Sequence, residues 1–190
     1  MPYLHSRVGT VGRVMSERVI FASTFAGLYR AFGPSLDAGA DALRRSGIDF
    51  SKELHPAYPL SVFLDTVKLL AASMGAEGSE DDRVFLVGRG FVKGYSETAI
   101  GKALVLLARA IGPKRMLERL TRQFRSGNNY SQTALVQKAP TEFELWCNSV
   151  NFPGWYRGIL TEGLTIAGAK NPEVTLASIN DEGATFSIRW

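Results

Sequence analysis

Apolar residues in the first two thirds of the chain recur every three to four positions, which is the spacing of helices that bury one face. Phe25, Leu28 and Phe32 trace one such face, and the Gly33-Pro34 pair that follows should end that helix. Further helices follow from the same spacing and from glycine or proline at their ends. The predicted helices cover 23–32, 35–45, 59–74, 80–94, 96–110 and 114–125.

Two serines are predicted to cap helices. Ser79 precedes a run of acidic residues, which favour the positive end of a helix dipole. Ser96 precedes the most apolar of the helices, in which Ile100 and Leu104 lie at helical spacing. We therefore expect that helix to be strongly buried and to end at Gly112.

The spacing of apolar residues changes to two after residue 132, as expected of strands with one buried face. Phe143, Leu145 and Cys147 alternate with more polar residues, and Pro140-Thr141 should connect this strand to the one before it. The sequence therefore predicts an α+β fold, in which N-terminal helices pack with an antiparallel sheet of about four strands, in the order helices, strand, strand, helix, strand, strand. The predicted strands cover 133–138, 143–148, 173–179 and 184–190, with a helix over 153–167.

Length and composition indicate a globular protein. The 190 residues, 45% apolar and 21% charged, favour a single domain over 19–190 after a poorly ordered N-terminal extension, 1–18. No apolar run reaches the roughly 18 residues that a bilayer span needs, so no membrane insertion is expected. Residues 1–13 do not resemble a secretory signal. With Cys147 as the only cysteine, these features favour the cytoplasm.

A basic stripe occupies the end of the helical region. The net charge of +4 is mild, so nucleic-acid binding is not expected, but arginines recur at helical spacing before a glycine-asparagine turn. Guanidinium groups suit phosphate or carboxylate, so one hypothesis is a site for a small anionic ligand of nucleotide type. The alternative is a solvated helix face followed by an ordinary turn. The residues concerned are Arg115, Arg119, Arg122, Arg125, Gly127, Asn128 and Asn129.

Two further groups are candidate binding residues. Tyr95 and Glu97 could bind a polar ligand or pair with Arg122 or Arg125, although Ser96 and Glu97 could equally begin a helix. A cluster of aromatic residues around the second strand and the late helix could line an apolar pocket, form a protein interface, or simply belong to the core. Its members are Trp146, Phe152, Trp155 and Tyr156.

Residues for catalysis or metal binding are scarce. The chain has two histidines, His5 and His55, and one cysteine, none of them at a spacing typical of a catalytic or metal site. Cys147 is interpreted as a buried apolar residue. We therefore expect no enzymatic activity and no metal.

Four short motifs together resemble one family. They are Leu28-Tyr29-Arg30 with Gly33-Pro34, residues 55–59 (HPAYP), residues 94–98 (GYSET), and residues 125–130 (RSGNNY) with 144–146 (ELW). The combination is similar to a set of uncharacterised paralogous domains found chiefly in myxobacteria. That resemblance spans residues 19–190 and implies no particular activity.

A more distant resemblance concerns the last sixty residues or so. Their order of strand, strand, helix, strand, strand is similar to haem nitric-oxide sensors, vinyl-reductase-type sensor domains and vesicle-tethering subunits. The haem sensors use a histidine on a central helix, a place that neither His5 nor His55 occupies, so no cofactor is expected. The resulting hypothesis is a non-enzymatic regulatory domain that associates with a protein partner or with itself, controlled in one version by a small ligand.

Overall fold

The computed structural model describes residues 17–75 and 77–190. The predicted N-terminal extension lies, apart from its last two residues, outside this part of the chain. The elements in chain order are β1 (Val19–Phe21), α1 (Ala22–Ala38), α2 (Ala40–Ser46), β2 (Ala57–Pro59), α3 (Leu60–Ser73), α4 (Glu80–Ser96), α5 (Ala99–Glu118), α6 (Leu120–Phe124), β3 (Thr133–Ala139), β4 (Glu142–Asn148), α7 (Pro153–Ile166), β5 (Glu173–Asn180) and β6 (Gly183–Arg189).

The predicted antiparallel sheet is confirmed. Its four strands have the order β3-β4-β6-β5, so each hairpin pairs internally and β4 joins β6 across the middle. Leu135, Leu145 and Phe186 are aligned across three strands, and Leu145 and Phe186 are fully buried against the helices. The sequence analysis missed the small second sheet formed by β1 and β2, whose three-residue strands are too short to show a period.

Helices α4 and α7 cross at very close range because glycines lie at their contact. A Cβ atom at Gly88 would lie 2.6 Å from the carbonyl oxygen of Trp155. A Cβ atom at Gly158 would overlap the carbonyl oxygen of Phe85. Only glycine allows the two backbones to approach this closely. The crossing brings α7 between α4 and the sheet, where the core forms around Leu160.

The predicted end of the first helix at Gly33-Pro34 is wrong in part. Phe32 has non-helical angles (φ −133°, ψ 22°), which kink the chain, but helix resumes directly and continues to Ala38. Pro34 lies in the first turn after the kink, where its missing N–H removes no helical hydrogen bond. The predicted helix over 35–45 is divided at Gly39 between α1 and α2.

The prediction of a strongly buried helix over 96–110 is also wrong. Helix α5 is capped by Thr98, whose hydroxyl accepts from the N–H of Gly101, whereas the hydroxyl of Ser96 donates to a carbonyl of α4. Ile100 is 56% exposed and Leu106 is 68% exposed. Small residues face the protein instead, and Gly101 has no room for a side chain against the end of α4.

The helix end predicted at Gly112 is present as a kink within α5. Gly112 adopts a left-handed φ of 76°, and Pro113 begins the second half of α5. None of the helices within 17–75 and 77–190 is both long enough and apolar enough to cross a bilayer.

Candidate functional site

A cavity of about 200 Å³ lies beneath α5. Helices α4, α5 and α7 line much of it, and residues of the segments 126–131 and 149–152 also border it. The described side chains around it are aromatic, aliphatic, thioether, hydroxyl or amide groups, and none of these carries a charge. The residues that bear most directly on its chemistry are Phe91, Tyr95, Leu104, Val105, Ala108, Met116, Tyr130, Ser131, Phe152, Trp155, Tyr156 and Ile159.

Helix α7 supplies the aromatic wall. The ring of Trp155 lies 4.9 Å from that of Phe91 and 5.1 Å from that of Phe63, measured between ring centroids. Tyr156 packs edge-on against Phe124 at 5.7 Å. Trp155 and Tyr156 are 7% and 8% exposed, so they belong to the core and also border the cavity.

The predicted aromatic cluster is divided by the sheet. Phe152, Trp155 and Tyr156 line the cavity. Trp146 lies on β4 between Leu145 and Cys147, which are both buried, so its side chain lies on the opposite face of the sheet. A strand's alternation therefore separates Trp146 from the residues with which it clusters in sequence.

Tyr130, Ser131 and Tyr156, which all carry hydroxyl groups, border the cavity. Ser131 is 2% exposed, and its Oγ has no hydrogen-bond partner among the residues that the structure describes. Burial raises the pKa of Tyr156, while the nearby Ser131 hydroxyl opposes that shift. The two hydroxyls nevertheless make no hydrogen bond of normal geometry. Burial also raises the pKa of Tyr130 to about 12, with Arg18 opposing, so both phenols are neutral at ordinary pH.

The glycine-asparagine turn holds these hydroxyl residues in place. The side-chain oxygen of Asn128 accepts from the N–H of Tyr130 at 3.1 Å and from that of Ser131 at 2.8 Å. Asn129 accepts from the N–H of Val19 at 3.0 Å, which ties the turn to β1. The N–H groups of Gly127 and Asn128 both donate to a carbonyl at the end of α6, so the turn has no free backbone donors there for an anion.

The basic stripe lies outside the cavity. Arg115, Arg119, Arg122 and Arg125 are all exposed. Within the described part of the chain, none of them has an acidic partner within 4.0 Å, and Arg125 instead donates to the carbonyl of Asn129. The stripe therefore remains compatible with both of its interpretations, an anion site and a solvated face.

The structure separates Tyr95 from Glu97. Tyr95 lines the cavity and packs against Phe91 at 5.4 Å. Glu97 is exposed and lies 3.7 Å from Arg30 on α1. That pairing differs from the suggested contact with Arg122 or Arg125.

Sequence reasoning missed most of the cavity wall. Ser131 stands directly after the predicted turn, but a lone serine gives no signal of burial. Met116 is 4% exposed and also borders the cavity. Residues from α4, α5 and α7 meet only through tertiary packing, which local periodicity does not encode.

Other chemistry is sparse in the described residues. No three His, Cys, Asp or Glu side chains there lie close enough together to hold a metal ion. Burial raises the pKa of Cys147 to about 12, so its thiol is protonated. His55 is on an exposed loop before β2, and His5 lies outside the described residues.

Comparison with solved structures defines the fold. A point mutant of the Fe(II) unliganded H-NOX protein from K. algicida matches with a TM-score of 0.62 and 15% identity, covering 89% of this chain and 95% of that one. An Fe(II) H-NOX triple mutant from S. oneidensis gives 0.61 and 11%, covering 86% and 94%. A structure from work on haem redox potential and porphyrin distortion gives 0.64 and 12%, covering 88% and 91%. The chain thus has the fold of H-NOX domains.

The family is shown by a sequence model. Residues 18–190 match the family described as a protein of unknown function, DUF2378, and the chain belongs to that family. No curated protein matches the chain significantly.

Proposed function

We propose that this protein is a non-enzymatic regulatory domain that associates with a partner protein under the control of a small ligand held beneath α5. The observation that carries the proposal is the cavity of about 200 Å³ with an exposed helix as its outer wall. The fold shared with H-NOX domains supports a sensor role by analogy.

Helix α5 is suited to report on the cavity. Leu104 and Val105 face the cavity, while Leu106 and Leu107 on the same turn are 68% and 39% exposed. A ligand that fills the space under α5 would press on one side of this helix and alter the position of the other side. Differential binding to two positions of α5 is what a ligand needs in order to shift their populations.

The exposed side of α5 favours a partner with an acidic docking surface. Exposed apolar side chains flanked by cations form a patch that suits an apolar centre with a negatively charged rim. Residues 99–125 carry one acidic residue, Glu118, against the cations Lys102, Arg109, Lys114, Arg115, Arg119, Arg122 and Arg125.

Native mass spectrometry tests ligand binding. The full chain is purified from the cells of its own host and weighed under native and denaturing conditions. We expect a discrete extra mass that is lost on denaturation and that is absent from an Ala108→Phe variant, because Ala108 borders the cavity. If the native mass equals that of the chain alone and no ligand is recovered from cell extract, control by a ligand is no longer part of the proposal.

Photo-crosslinking in host cells tests the docking surface. A photoreactive amino acid replaces Leu106 on α5 or, as the control, Val136 on the outer face of β3, which is 50% exposed. We expect a crosslinked partner at 106 only, and its crosslinked peptide should be acidic. Equal crosslinking at both positions would contradict the surface, and a product of twice the chain mass would identify self-association.

A second candidate function is binding of a small anionic ligand on the basic stripe. It is favoured by four exposed arginines that lack acidic partners within the described residues. Titration calorimetry with ATP, comparing the wild type with Arg122→Ala and Arg125→Ala in proteins of unchanged circular dichroism, tests it. Affinity that falls tenfold or more in the variants supports the site, and unchanged affinity eliminates it.

The proposal also includes a location in the cell. We place the protein in the cytoplasm, because Cys147 is a free thiol, which fits a reducing compartment. The motif resemblance adds a chiefly myxobacterial distribution for the family and a single domain over 19–190. Fractionation of host cells with an antibody against the chain tests the location.

A further inference from the structure

We infer that the cavity beneath α5 binds an uncharged molecule of about one or two rings that carries a hydrogen-bonding group, and that it does not bind an iron porphyrin. This inference rests on the proposed ligand-binding function and specifies the chemical class of its ligand. Three features support it: the uncharged lining of the cavity, the volume of the cavity and the unpaired hydroxyl of Ser131.

The lining excludes ionised ligands. Among the described residues, none of those around the cavity is Asp, Glu, Lys, Arg or His. A charged group placed there would lose its hydration without gaining a counter-ion, which is strongly unfavourable. The basic stripe does not compensate, because its arginines are exposed and none of them lines the cavity.

The same lining does not fit haem. Protein-held haem iron takes a histidine, a thiolate, a tyrosinate or a methionine with a histidine as its axial ligand. Burial raises the pKa of Tyr130 to about 12 and raises that of Tyr156 as well, so these lining side chains are neutral and poor ligands. Cys147 is not among the lining residues, and burial raises its pKa to about 12 too. Met116 lines the cavity, but the described lining residues include no histidine that could form a methionine–histidine ligand pair with it. The two propionates of haem would also find no cation among the described lining residues.

The volume sets the size of the ligand. An engineered apolar cavity of about 150 Å³ is large enough to take benzene. At about 200 Å³, the cavity here suits a single ring with substituents or a compact pair of fused rings. Trp155 and Phe91 provide a wall against which a flat ring can pack.

The unpaired Ser131 hydroxyl indicates that the ligand carries a hydrogen-bonding group. A buried hydroxyl without a partner is destabilising, and such groups in native proteins are normally satisfied by a ligand or an ordered water. Ser131 borders the cavity, 2% exposed and with Oγ unpaired within the described part of the chain. The Tyr156 hydroxyl lies beside it. The Oγ atom has almost no accessible surface, so a ligand with one donor or acceptor pairs with it after a rotation of the Ser131 side chain, while its ring remains among the aromatic residues.

Three probes of nearly equal shape separate these requirements. Titration calorimetry compares 2-naphthol, naphthalene and 2-naphthoate on the full chain at neutral pH, and absorption spectra record the addition of hemin. We expect 2-naphthol to bind at least tenfold more tightly than naphthalene. We expect no binding of 2-naphthoate within the same concentration range and no shift of the hemin absorption band.

Variants assign that preference to the cavity. Ser131→Ala should bring the affinities for 2-naphthol and naphthalene within threefold of each other, whereas Ser187→Ala, on the exposed outer face of β6, should leave them unchanged. Ala108→Phe should weaken the binding of both ligands at least tenfold. If circular dichroism shows that Ala108→Phe is misfolded, Val105→Phe is used in its place.

The outcomes distinguish the ligand class from the function. Binding of hemin or 2-naphthoate in preference to 2-naphthol, or equal binding by wild type and Ser131→Ala, would overturn the ligand class and leave a ligand-controlled domain in place. A charged ligand recovered by native mass spectrometry would do the same. Failure of every probe together with bare protein from host cells would overturn both.

Discussion

Arg89 on α4 donates two hydrogen bonds to the same oxygen of Glu162 on α7, from Nε at 2.9 Å and from Nη2 at 2.8 Å. Glu162 is only 8% exposed, so its carboxylate depends on this partner. The pair lies on the two helices that cross most closely and that border the cavity. It therefore holds together the framework of the candidate site.

Loss of this partner should destabilise the fold. In Arg89→Ala, the Glu162 carboxylate remains buried without its guanidinium, and we expect the free energy of unfolding to fall by about 1–3 kcal/mol, at the lower end because Arg89 is partly exposed. Arg189 and Glu173 make the same two-bond contact at the surface, with both side chains more than half exposed. Arg189→Ala should therefore cost at most about 1 kcal/mol. Urea denaturation of both variants measures the difference, and equal losses would contradict the structural role of Glu162.

The helix crossing predicts a sharp difference between two glycines of α7. A methyl group at Gly158 would overlap the backbone of Phe85, whereas one at Gly163 would meet only the flexible end of Met116, at 3.6–3.8 Å. Gly158→Ala should destabilise by about 1–3 kcal/mol or more, because backbone cannot move aside as a side chain can. Gly163→Ala should be neutral or stabilising by up to about 1 kcal/mol, since alanine favours helix. Thermal and urea unfolding test both, and a tolerated Gly158→Ala would contradict the close crossing.

These contrasts also explain what the sequence could predict. Local signals were reliable where one residue determines its own conformation: Gly47 ends α2 with φ 103°, as expected, and Ser79 caps α4. The hairpins followed from alternation, because β4 really does bury Phe143, Leu145 and Cys147. The predicted burial of α5 was wrong because apolar residues surround the whole helix, so the spacing did not show that Ile100 is exposed while Gly101 faces inward.

The candidate site was predictable only in part. Trp155, Tyr156 and Phe152 were proposed as pocket residues, and all of them line the cavity. Its polar end was not foreseen, because Ser131 and Tyr156 come from segments far apart in sequence. Asn128 was proposed as a ligand residue, yet its hydrogen bonds within the turn are what position Ser131.

The cap of α4 links stability to acid pH. Ser79 and Asp82 form a capping box, and the hydrogen bonds from Ser79 hold the pKa of Asp82 below its ordinary value of 3.8. Because the folded pKa is lowered, this contribution is complete above the ordinary pKa and is lost as the pH falls through the folded value. Ser79→Ala should cost about 1 kcal/mol at neutral pH.

Melting temperatures of the wild type and Ser79→Ala, measured from pH 7 down to the acid limit of folding, check this expectation. The difference in melting temperature between the two proteins should become smaller at pH values below the ordinary Asp82 pKa of 3.8. Ser187→Ala serves as the control, because Ser187 is an exposed strand residue with no capping role. A gap that stays constant down to low pH would mean that the Asp82 carboxylate does not contribute to the cap.

The thiol of Cys147 should be unreactive in the folded protein and should weaken the fold at high pH. The side chain is 1% exposed, and burial raises its pKa from 9.0 to about 12, so the reactive thiolate is disfavoured. We expect a disulfide exchange reagent at pH 8 to label the native chain at least a hundredfold more slowly than the urea-unfolded chain.

The same thiol predicts a loss of stability at alkaline pH. Because the pKa of Cys147 is raised in the folded protein, the stabilising contribution of this thiol is complete below the ordinary value and is lost as the pH rises towards about 12. The alkaline decline of the melting temperature should therefore be shallower in Cys147→Ala than in wild type, with the remainder due to Tyr130 and Tyr156. Rapid labelling of the native chain, or identical alkaline profiles, would contradict the burial of Cys147.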